Sequence, residues 1–393
     1  MNCDFDRIID RHGSDAVKIE ALGTLFGRSD LIPLWVADMD FESPGAVRCA
    51  LEKCISQGLY GYSSAPESYY ASVLKWEKDI NGLSLKRKEI AFIPGIVRGI
   101  SFAIQCFTVP GDRILIQPPV YMPFARLVRE NGRELVLNPL VYSDGNYSMN
   151  FGELDELCRD KSPRMFILCN PHNPSGKVWD GETLSKAAEI CKRYGVIVVS
   201  DEIHGDMPLF GNKFHSFSSV SEIASEISIT FKAPSKTFNI AGLMSSYAIV
   251  KDENLRSKFF GYLATNEFSA PPLPAAVATR AAYDESREWR LEMLRYVEGN
   301  IDFVTDFLAV NIPRIRPVRP QASFLVWLDC RGLGLGHDEL IDLFVNKAGL
   351  ALNDGEDFGK GGEGFMRLNV GCPRLVLEKA LNQLKNALRK IKK

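Results

Sequence analysis

The sequence has 393 residues, of which 46% are hydrophobic and 24% are charged, and its formal net charge at pH 7 is −2. This length is long for one domain and suits a large domain with a smaller one, and the composition is that of a globular protein with a sizeable core. Because no basic stripe stands out to neutralise phosphates, we expect no nucleic-acid partner.

Membrane insertion and export are not indicated by the sequence. Residues 1–7 are charged from the outset and no apolar secretion segment follows them. No window approaches about 18 uninterrupted apolar residues, so we expect no membrane span. The nine cysteines are scattered without a Cys-x-x-Cys pair, which favours reduced thiols over a disulfide framework or a zinc site. We therefore expect a cytoplasmic protein.

Apolar, strand-like segments alternate with helical segments through the middle of the chain. Six segments have the composition of strands: 113–117, 134–138, 165–169, 196–200, 227–231 and 246–250. Helical stretches such as 182–194 lie between several of them. This alternation predicts an α/β fold with a mainly parallel sheet wrapped by helices.

The chain changes character after the proline-rich turn 271–274. Apolar residues then recur at helical spacing in two stretches: Trp289, Met293, Val297, Ile301, Val304 and Leu308, and Leu377, Leu381, Leu384, Leu388 and Ile391. With a strand at 324–328 these helices predict a second, α+β domain. We expect an N-terminal arm and part of the small domain in 1–48, the large domain in 49–287 and the C-terminal small domain in 288–393.

Lys236 lies in the segment 234–243, which contains no other charged residue. A lysine among apolar residues can lose its proton more easily and become a nucleophilic amine, which is the requirement of Schiff-base chemistry. A lone lysine in such a segment is more often exposed to solvent. Its interpretation therefore depends on other residues.

Two polar residues follow predicted strands upstream of this lysine. Asp201 stands where the β-branched run 196–199 would end, and Asn173 belongs to a rigid, proline-containing loop after the strand 165–169. Ligands of open α/β sheets bind outside the carboxyl ends of strands. The spacings of 28 and 35 residues from Asn173 to Asp201 and from Asp201 to Lys236 are each about one βα unit plus a strand. All three residues can therefore lie along one rim of the sheet.

The order of these motifs resembles a known family. An Asn-Pro-x-Asn-Pro-x-Gly loop, an aspartate at a strand end and a Ser-Lys pair are similar to fold-type I enzymes dependent on pyridoxal 5′-phosphate, which include the class I and II aminotransferases. Finer features resemble the MalY/PatB carbon–sulfur lyases, and they lie at 35–41, 201–204, 235–242 and 367–369. The resemblance covers nearly the whole chain. It implies the fold-type I architecture, with a central sheet and a smaller α+β domain.

The resemblance also implies roles at the cofactor ring. Lys236 would form the Schiff base with pyridoxal 5′-phosphate, and Asp201 would be the acidic partner of the pyridine nitrogen. Tyr121, held by flanking prolines, resembles the residue that stacks on the ring, although ordinary packing is the alternative. Asn173 would donate to the 3′-oxygen. The expected catalytic residues are Lys236, Asp201 and Tyr121.

A phosphate seat is indicated by a glycine turn before an apolar helical stretch, because free amides at a helix start favour an anion. In the family this loop holds the cofactor phosphate, which implies contacts from the backbone of Gly95, Ile96 and Val97. Ser235, beside the reactive lysine, is a further implied phosphate contact. For Lys232 we expect a surface position or a place near the phosphate.

Two more residues have alternative interpretations. His204, three residues beyond Asp201, would either orient that carboxylate near the cofactor or satisfy its own loop. Tyr62 follows a pair of glycines that let a loop approach a ligand. It is either a core tyrosine or, as the resemblance implies, a residue that crosses the interface of a homodimer to the neighbouring cofactor phosphate.

The substrate carboxylate is expected to meet Arg367. A guanidinium in an apolar, alternating strand needs an anionic partner, and a carboxylate fits its planar fork. An internal acidic partner is the alternative, but the position in the family favours the substrate. The resemblance further implies that Asn173 and the backbone of Val36 and Ala37 contribute to this site.

A metal site at Asp38 and Asp40 is not indicated. No histidine or further carboxylate lies nearby to complete a coordination set. We expect a solvated or capping pair and no metal.

The activity that the resemblance implies is β-elimination. Lys236 would act as general base at Cα, and cystathionine or a related cysteine S-conjugate would yield pyruvate, ammonia and a thiol. A class I/II aminotransferase remains an alternative, because Lys236, Asp201, Asn173 and Arg367 serve both reactions. A second alternative is a lyase that also binds a transcription regulator, as some relatives of this group do.

Overall fold

The structure, a computed structural model, describes residues 3–64, 66–268 and 270–391. The helices are α1 (Val17–Glu20), α2 (Leu22–Phe26), α3 (Gly45–Ser56), α4 (Glu67–Asn81), α5 (Ile96–Phe107), α6 (Pro123–Glu130), α7 (Phe151–Lys161), α8 (Gly181–Arg193), α9 (Glu222–Glu226), α10 (Glu253–Thr265), α11 (Leu273–Glu285), α12 (Arg287–Asn311), α13 (His337–Asp342) and α14 (Arg374–Ile391). The strands are β1 (Ile32–Pro33), β2 (Ile90–Ile93), β3 (Arg113–Ile116), β4 (Glu134–Leu137), β5 (Val141–Ser143), β6 (Asn146–Ser148), β7 (Met165–Cys169), β8 (Ile197–Asp201), β9 (Ser228–Lys232), β10 (Ser246–Ile249), β11 (Arg316–Val318), β12 (Leu325–Asp329), β13 (Leu350–Ala351), β14 (Asn353–Asp354) and β15 (Phe365–Asn369).

A seven-stranded sheet forms the centre of the molecule, in the order β2-β10-β9-β8-β7-β3-β4. The pairs from β9 to β4 are parallel, and β10 runs antiparallel to both of its neighbours. This confirms the predicted α/β fold, and the six predicted strands agree with the structure to within one residue at each end. Strand β2 was not predicted.

Both faces of this sheet are buried, which explains the unbroken apolar runs of its strands. Along β7, Phe166 and Leu168 join a core that includes residues of α7 and α8. The alternate residues Ile167 and Cys169 join a second core on the other face, with residues of α5 and α6. Successive side chains of a strand point to opposite faces, so one apolar strand supplies both cores.

A smaller antiparallel sheet follows in the order β11-β12-β15-β14. Both predicted helical stretches are confirmed, since α12 and α14 cover them. Their apolar residues from Trp289 to Leu308 and from Leu377 to Leu388 join the same core as β12 and β15. The domain boundaries themselves stay a prediction. None of the helices in the described ranges is long and apolar enough to cross a membrane.

The register of the central sheet brings three loops to one edge. Cys169 pairs with Asp201, and Asp201 pairs with Phe231, so the chain leaves β7, β8 and β9 at the same level. The loops that follow carry Asn173, His204 and Lys236. The predicted common rim is therefore present.

Lys232, at the end of β9, was expected on the surface or near the phosphate; it is not on the surface, and that part of the prediction was wrong. Its side chain is 1% exposed, and its Nζ lies 2.7 Å from Oε2 of Glu77 on α4. The other oxygen of Glu77 accepts a hydrogen bond from the Tyr247 hydroxyl. Burial of the charge is possible because the helix supplies a carboxylate that is itself fully buried.

We predict that Glu77→Gln lowers the free energy of unfolding by about 3 kcal/mol, because it removes the nearest carboxylate of the buried Lys232 charge and leaves only the Asp206 carboxylate, 3.9 Å away, as its ion-pair partner. Urea denaturation at a fixed cofactor concentration measures the change. Glu226→Gln is the matched control: it breaks an ion pair with Lys192 of similar length, 2.8 Å, whose side chains are about half exposed, and should change stability by less than about 1 kcal/mol. Equal effects of the two substitutions would contradict the prediction.

Candidate active site

A cavity of about 310 Å³ lies at the carboxyl edge of the central sheet. Ten of the site residues expected from the sequence line it: Ala37, Gly95, Ile96, Val97, Tyr121, Asn173, Asp201, His204, Ser235 and Lys236. Arg367, Val36 and Tyr62 do not line it. The chemistry of the cavity follows from how these side chains are held.

Lys236 presents its amine at this cavity. Its Nζ donates a hydrogen bond of 2.7 Å to the backbone oxygen of Ala37. Burial lowers the pKa of Lys236 to about 8, with the Arg367 charge acting in the same direction, while Asp38 and Asp201 oppose the shift. The amine is therefore close to being a free nucleophile near neutral pH.

Asp201 is the last residue of β8 and is 5% exposed. One carboxylate oxygen accepts a hydrogen bond from the Ile203 amide at 3.1 Å, and no other hydrogen bond to this carboxylate occurs within the described ranges. Burial raises the pKa of Asp201 to about 6, against the lowering effects of that amide and of Lys236. The carboxylate is thus placed to accept a proton from, or pair with, a cationic group in the cavity.

Arg367 lies behind Asn173, in β15. Its Nη1 donates to Oδ1 of Asn173 at 3.0 Å, and its Nη2 donates to the Trp35 carbonyl at 2.9 Å and to Asn353. Its Nε has no partner, and no carboxylate pairs with it in the part of the chain described. Burial lowers the pKa of Arg367 to about 10. The internal acidic partner is therefore not found, and the guanidinium remains a buried cation without an anion.

The glycine turn forms an open end of helix α5 at the cavity. Gly95 precedes the helix with φ +98°, a conformation that L side chains rarely adopt. Ile96 and Val97 follow in the first turn and line the cavity together with Ser235. Amides in the first turn of a helix have no intrahelical acceptor, so this end of the cavity suits an anion.

Tyr121 and His204 line the cavity without a charge of their own. Burial and the nearby Asp201 carboxylate raise the pKa of Tyr121, so its phenol stays protonated. Burial, together with the charges of Lys236 and Arg367, lowers the pKa of His204 to about 3. No hydrogen bond joins His204 to Asp201, and its Nδ1 lacks a partner among the described residues. The imidazole is neutral, and neither contact expected from the sequence is formed.

Two expected residues lie elsewhere. The Val36 carbonyl accepts a hydrogen bond from Asn369 and does not face the cavity. Tyr62 is fully exposed on the loop before α4, so it is not a core tyrosine. Its expected contact belongs to a second copy of the chain and stays a prediction.

Asp38 and Asp40 are not a solvated or capping pair, and that expectation was wrong. Arg11 contacts both carboxylates at 2.8 Å, and Lys18, which is fully buried, contacts Asp40 at 2.7 Å. We call these four residues the arm cluster. The N-terminal arm supplies the two cations, which the sequence pattern did not indicate. No group of three or more potential metal-ligating side chains occurs in the ranges that the structure describes.

Two asparagines that the sequence analysis did not assign hold the segment 35–41 against Lys236. Asn239 accepts from the Met39 amide at 3.0 Å and donates to the Met39 and Phe41 carbonyls. Asn369 donates to the carbonyls on either side of Ala37 at 2.6 and 2.7 Å. Both lie in motifs that carried the family resemblance, and side-chain amides inside a protein need hydrogen-bond partners. This need for partners was the sequence feature that could have identified the two asparagines.

Comparisons with known proteins agree with this geometry. The family model for aminotransferase class I and II matches residues 29–384. The chain is 42% identical to cystathionine beta-lyase PatB of Bacillus subtilis, over 98% of this chain and 99% of that protein, and 30% identical to protein MalY of Escherichia coli, over 99% and 100%. It is also similar to the crystal structure of cystalysin from Treponema denticola, which contains a pyridoxal 5′-phosphate cofactor. The TM-score is 0.96 at 32% identity, and both chains are fully covered.

We predict that the Lys236 amine of the cofactor-free protein becomes reactive as the pH rises through about 8. The neutral amine is the reactive form, and burial favours it, whereas a solvated lysine loses its proton near pH 10.4, roughly. Reductive methylation at a series of pH values, followed by peptide mass spectrometry, measures the midpoint at each lysine. The exposed lysines in the same digest are the control. A Lys236 profile that superposes on theirs would contradict the prediction.

Proposed function

The chain belongs to the aminotransferase class I and II family, and we propose that within this family it is a pyridoxal-phosphate-dependent carbon–sulfur β-lyase. Its substrate is cystathionine or a related cysteine S-conjugate, and the products are pyruvate, ammonia and a thiol. One observation carries the proposal: a desolvated lysine amine and a buried carboxylate with a free oxygen face the same cavity. Full-length similarity to proteins named as cystathionine beta-lyases favours elimination over amino transfer.

Pyridoxal 5′-phosphate is the cofactor, as in the similar solved structures, and the residues around the cavity fit it. The Lys236 amine suits its aldehyde, and the free oxygen of Asp201 suits a protonated ring nitrogen. The amides after Gly95 suit its phosphate. Tyr121 offers a ring for stacking, and the amide nitrogen of Asn173 is left for the 3′-oxygen because Arg367 occupies the other end of that side chain.

When bound, the cofactor supplies an electron sink for negative charge at the substrate Cα. Lys236 takes the Cα proton as general base, since burial makes its neutral form accessible. The Ala37 carbonyl orients that amine through its hydrogen bond. Arg367 does not line the cavity but lies directly behind Asn173, and the substrate carboxylate would be the anion that this buried guanidinium lacks, since no internal acid pairs with it in the described ranges. These residues fix which Cα bond is broken.

Elimination then breaks the Cβ–S bond, and the electron pair leaves with the sulfur. Lys236, now an ammonium, or the phenol of Tyr121 returns a proton to the departing thiolate. The raised pKa of Tyr121 keeps that phenol protonated. Hydrolysis of the remaining three-carbon product gives pyruvate and ammonia. An aminotransferase would instead keep the Cβ substituent.

We predict that the holoenzyme releases pyruvate from L-cystathionine or L-cystine and that Lys236→Ala lowers the rate at least about 10³-fold, because the general base is removed. A lactate-dehydrogenase-coupled assay measures pyruvate. Lys379→Ala, at an exposed lysine of α14, is the matched control and should leave the rate unchanged.

The same preparation is tested with an amino donor that has no β-leaving group and a 2-oxo acid. Sustained amino transfer with no pyruvate from any cysteine S-conjugate, while the cofactor is bound, would overturn the lyase proposal in favour of an aminotransferase.

The active form is proposed to be a cytoplasmic homodimer. The support is an exposed apolar segment before α4, in which Ile55, Leu59, Tyr60 and Tyr62 are all exposed. Contiguous exposed apolar side chains are typical of an interaction surface. In the dimer Tyr62 reaches the phosphate end of the neighbouring cavity, as the family resemblance implies.

We predict that Tyr62→Ala and Lys236→Ala homodimers are each nearly inactive and regain activity when their subunits are exchanged. A mixed dimer combines Lys236 of one subunit with Tyr62 of the other, so one of its two sites is complete. Random exchange should restore roughly a quarter of the wild-type rate. Pyruvate release before and after exchange measures the recovery. Activity that never exceeds the average of the two variants would contradict the shared site.

A further inference from the structure

A second cavity, of about 570 Å³, lies where the end of α4, the loop after β8 and the start of α12 meet. It shares no lining residue with the active-site cavity. Its lining contains three basic side chains, Lys78, Lys213 and Arg290, and one carboxylate, Asp79. Asp79 is already paired with Lys75 at 2.7 Å. The cavity therefore has an excess of positive charge.

Arg290 is the unusual member of this lining because it is 6% exposed. Its Nε donates to the backbone oxygen of Asp206 at 2.6 Å, and no carboxylate forms an ion pair with it in the ranges described. The Asp206 carboxylate accepts instead from Trp76 at 2.9 Å and from Asn81 at 3.0 Å. The Arg290 guanidinium is thus buried next to the Asp206 carboxylate, whose hydrogen bonds go to Trp76 and Asn81.

The Trp76 ring compensates little of this charge. Its centroid lies 5.9 Å from the Arg290 guanidinium carbon, at the outer limit of a cation–π contact. Burial lowers the pKa of Arg290 and the nearby Asp206 carboxylate opposes that shift, but a guanidinium stays charged in proteins. The Asp206 carboxylate therefore offsets only part of the charge, because its oxygens are already hydrogen-bonded to Trp76 and Asn81. Among the described residues only the Nε of Arg290 has a hydrogen-bond acceptor, so its two amino groups are available to an anion from outside the chain.

We propose that this cavity binds a phosphate group, either free or carried on a small molecule, with Arg290 as its principal contact. The planar fork of arginine matches phosphate oxygens, and Lys78 and Lys213 at the exposed side suit a second negative charge. The volume exceeds the need of inorganic phosphate and lies within the range of small-molecule sites. The site stands on observations independent of the lyase reaction.

The test uses the holoenzyme, so that the cofactor already fills the phosphate seat of the active site. Binding of inorganic phosphate is measured by isothermal titration calorimetry and by the thermal midpoint, against chloride at the same ionic strength. We expect saturable binding of one phosphate per chain and a higher midpoint. Arg290→Gln should weaken binding at least about tenfold, since it removes a charge-assisted contact. Arg295→Gln, at an exposed arginine of the same helix, should not.

Because Arg290→Gln removes the bond to Asp206, it can also affect folding, and Lys213→Ala provides a second variant at an exposed position. It should weaken phosphate binding about threefold and reduce its salt dependence, with an unchanged thermal midpoint in chloride. Glycerol phosphate distinguishes a free phosphate ion from a phosphate group carried on a small molecule. If glycerol phosphate binds more tightly than inorganic phosphate, the ligand is a phosphorylated small molecule; if the two bind equally, the ligand is the free ion. The proposal is overturned if phosphate binding is absent, if acetate binds equally well, or if neither variant weakens it.

Discussion

The hydrogen bond from the Lys236 amine to the Ala37 carbonyl is the contact on which the site depends. It joins two segments 199 positions apart in the chain, and it keeps the amine inside the protein, where burial lowers its pKa. The segment 35–41 can hold the Ala37 carbonyl in place because Asn239 and Asn369 hydrogen-bond to its backbone. The cations of the arm cluster also pair with the two carboxylates of this segment.

Burial acts in opposite directions on the two reactive groups and brings both toward neutral pH. It disfavours the ammonium of Lys236 and the carboxylate of Asp201, and their pKa values move to about 8 and about 6. One desolvated edge of a sheet therefore prepares an amine that can attack an aldehyde and a carboxyl that a cationic ring nitrogen would ionise. The register of β7, β8 and β9 is what places them at that edge.

The sequence predicted the elements whose signals are local. The run of β-branched residues before Asp201 identified a buried strand and its end, and the periodicity of α12 and α14 identified two long helices. Lys232 was misplaced because its partner, Glu77, lies 155 positions away on another element, so no local pattern distinguishes it from a surface lysine. The cations of the arm cluster were missed for the same reason. The proposed role of Tyr62 requires a second copy of the chain, which one chain does not contain.

The most direct test is to reduce the holoenzyme with borohydride, digest it and locate the cofactor by peptide mass spectrometry. We predict that the added mass lies on Lys236 and is absent from Lys236→Ala. Lys232, four positions earlier and more deeply buried, is the internal comparison. Cofactor mass on Lys232 or on an exposed lysine would contradict the account, because the amine beside Ala37 and Asp201 would then not be the one that holds the cofactor.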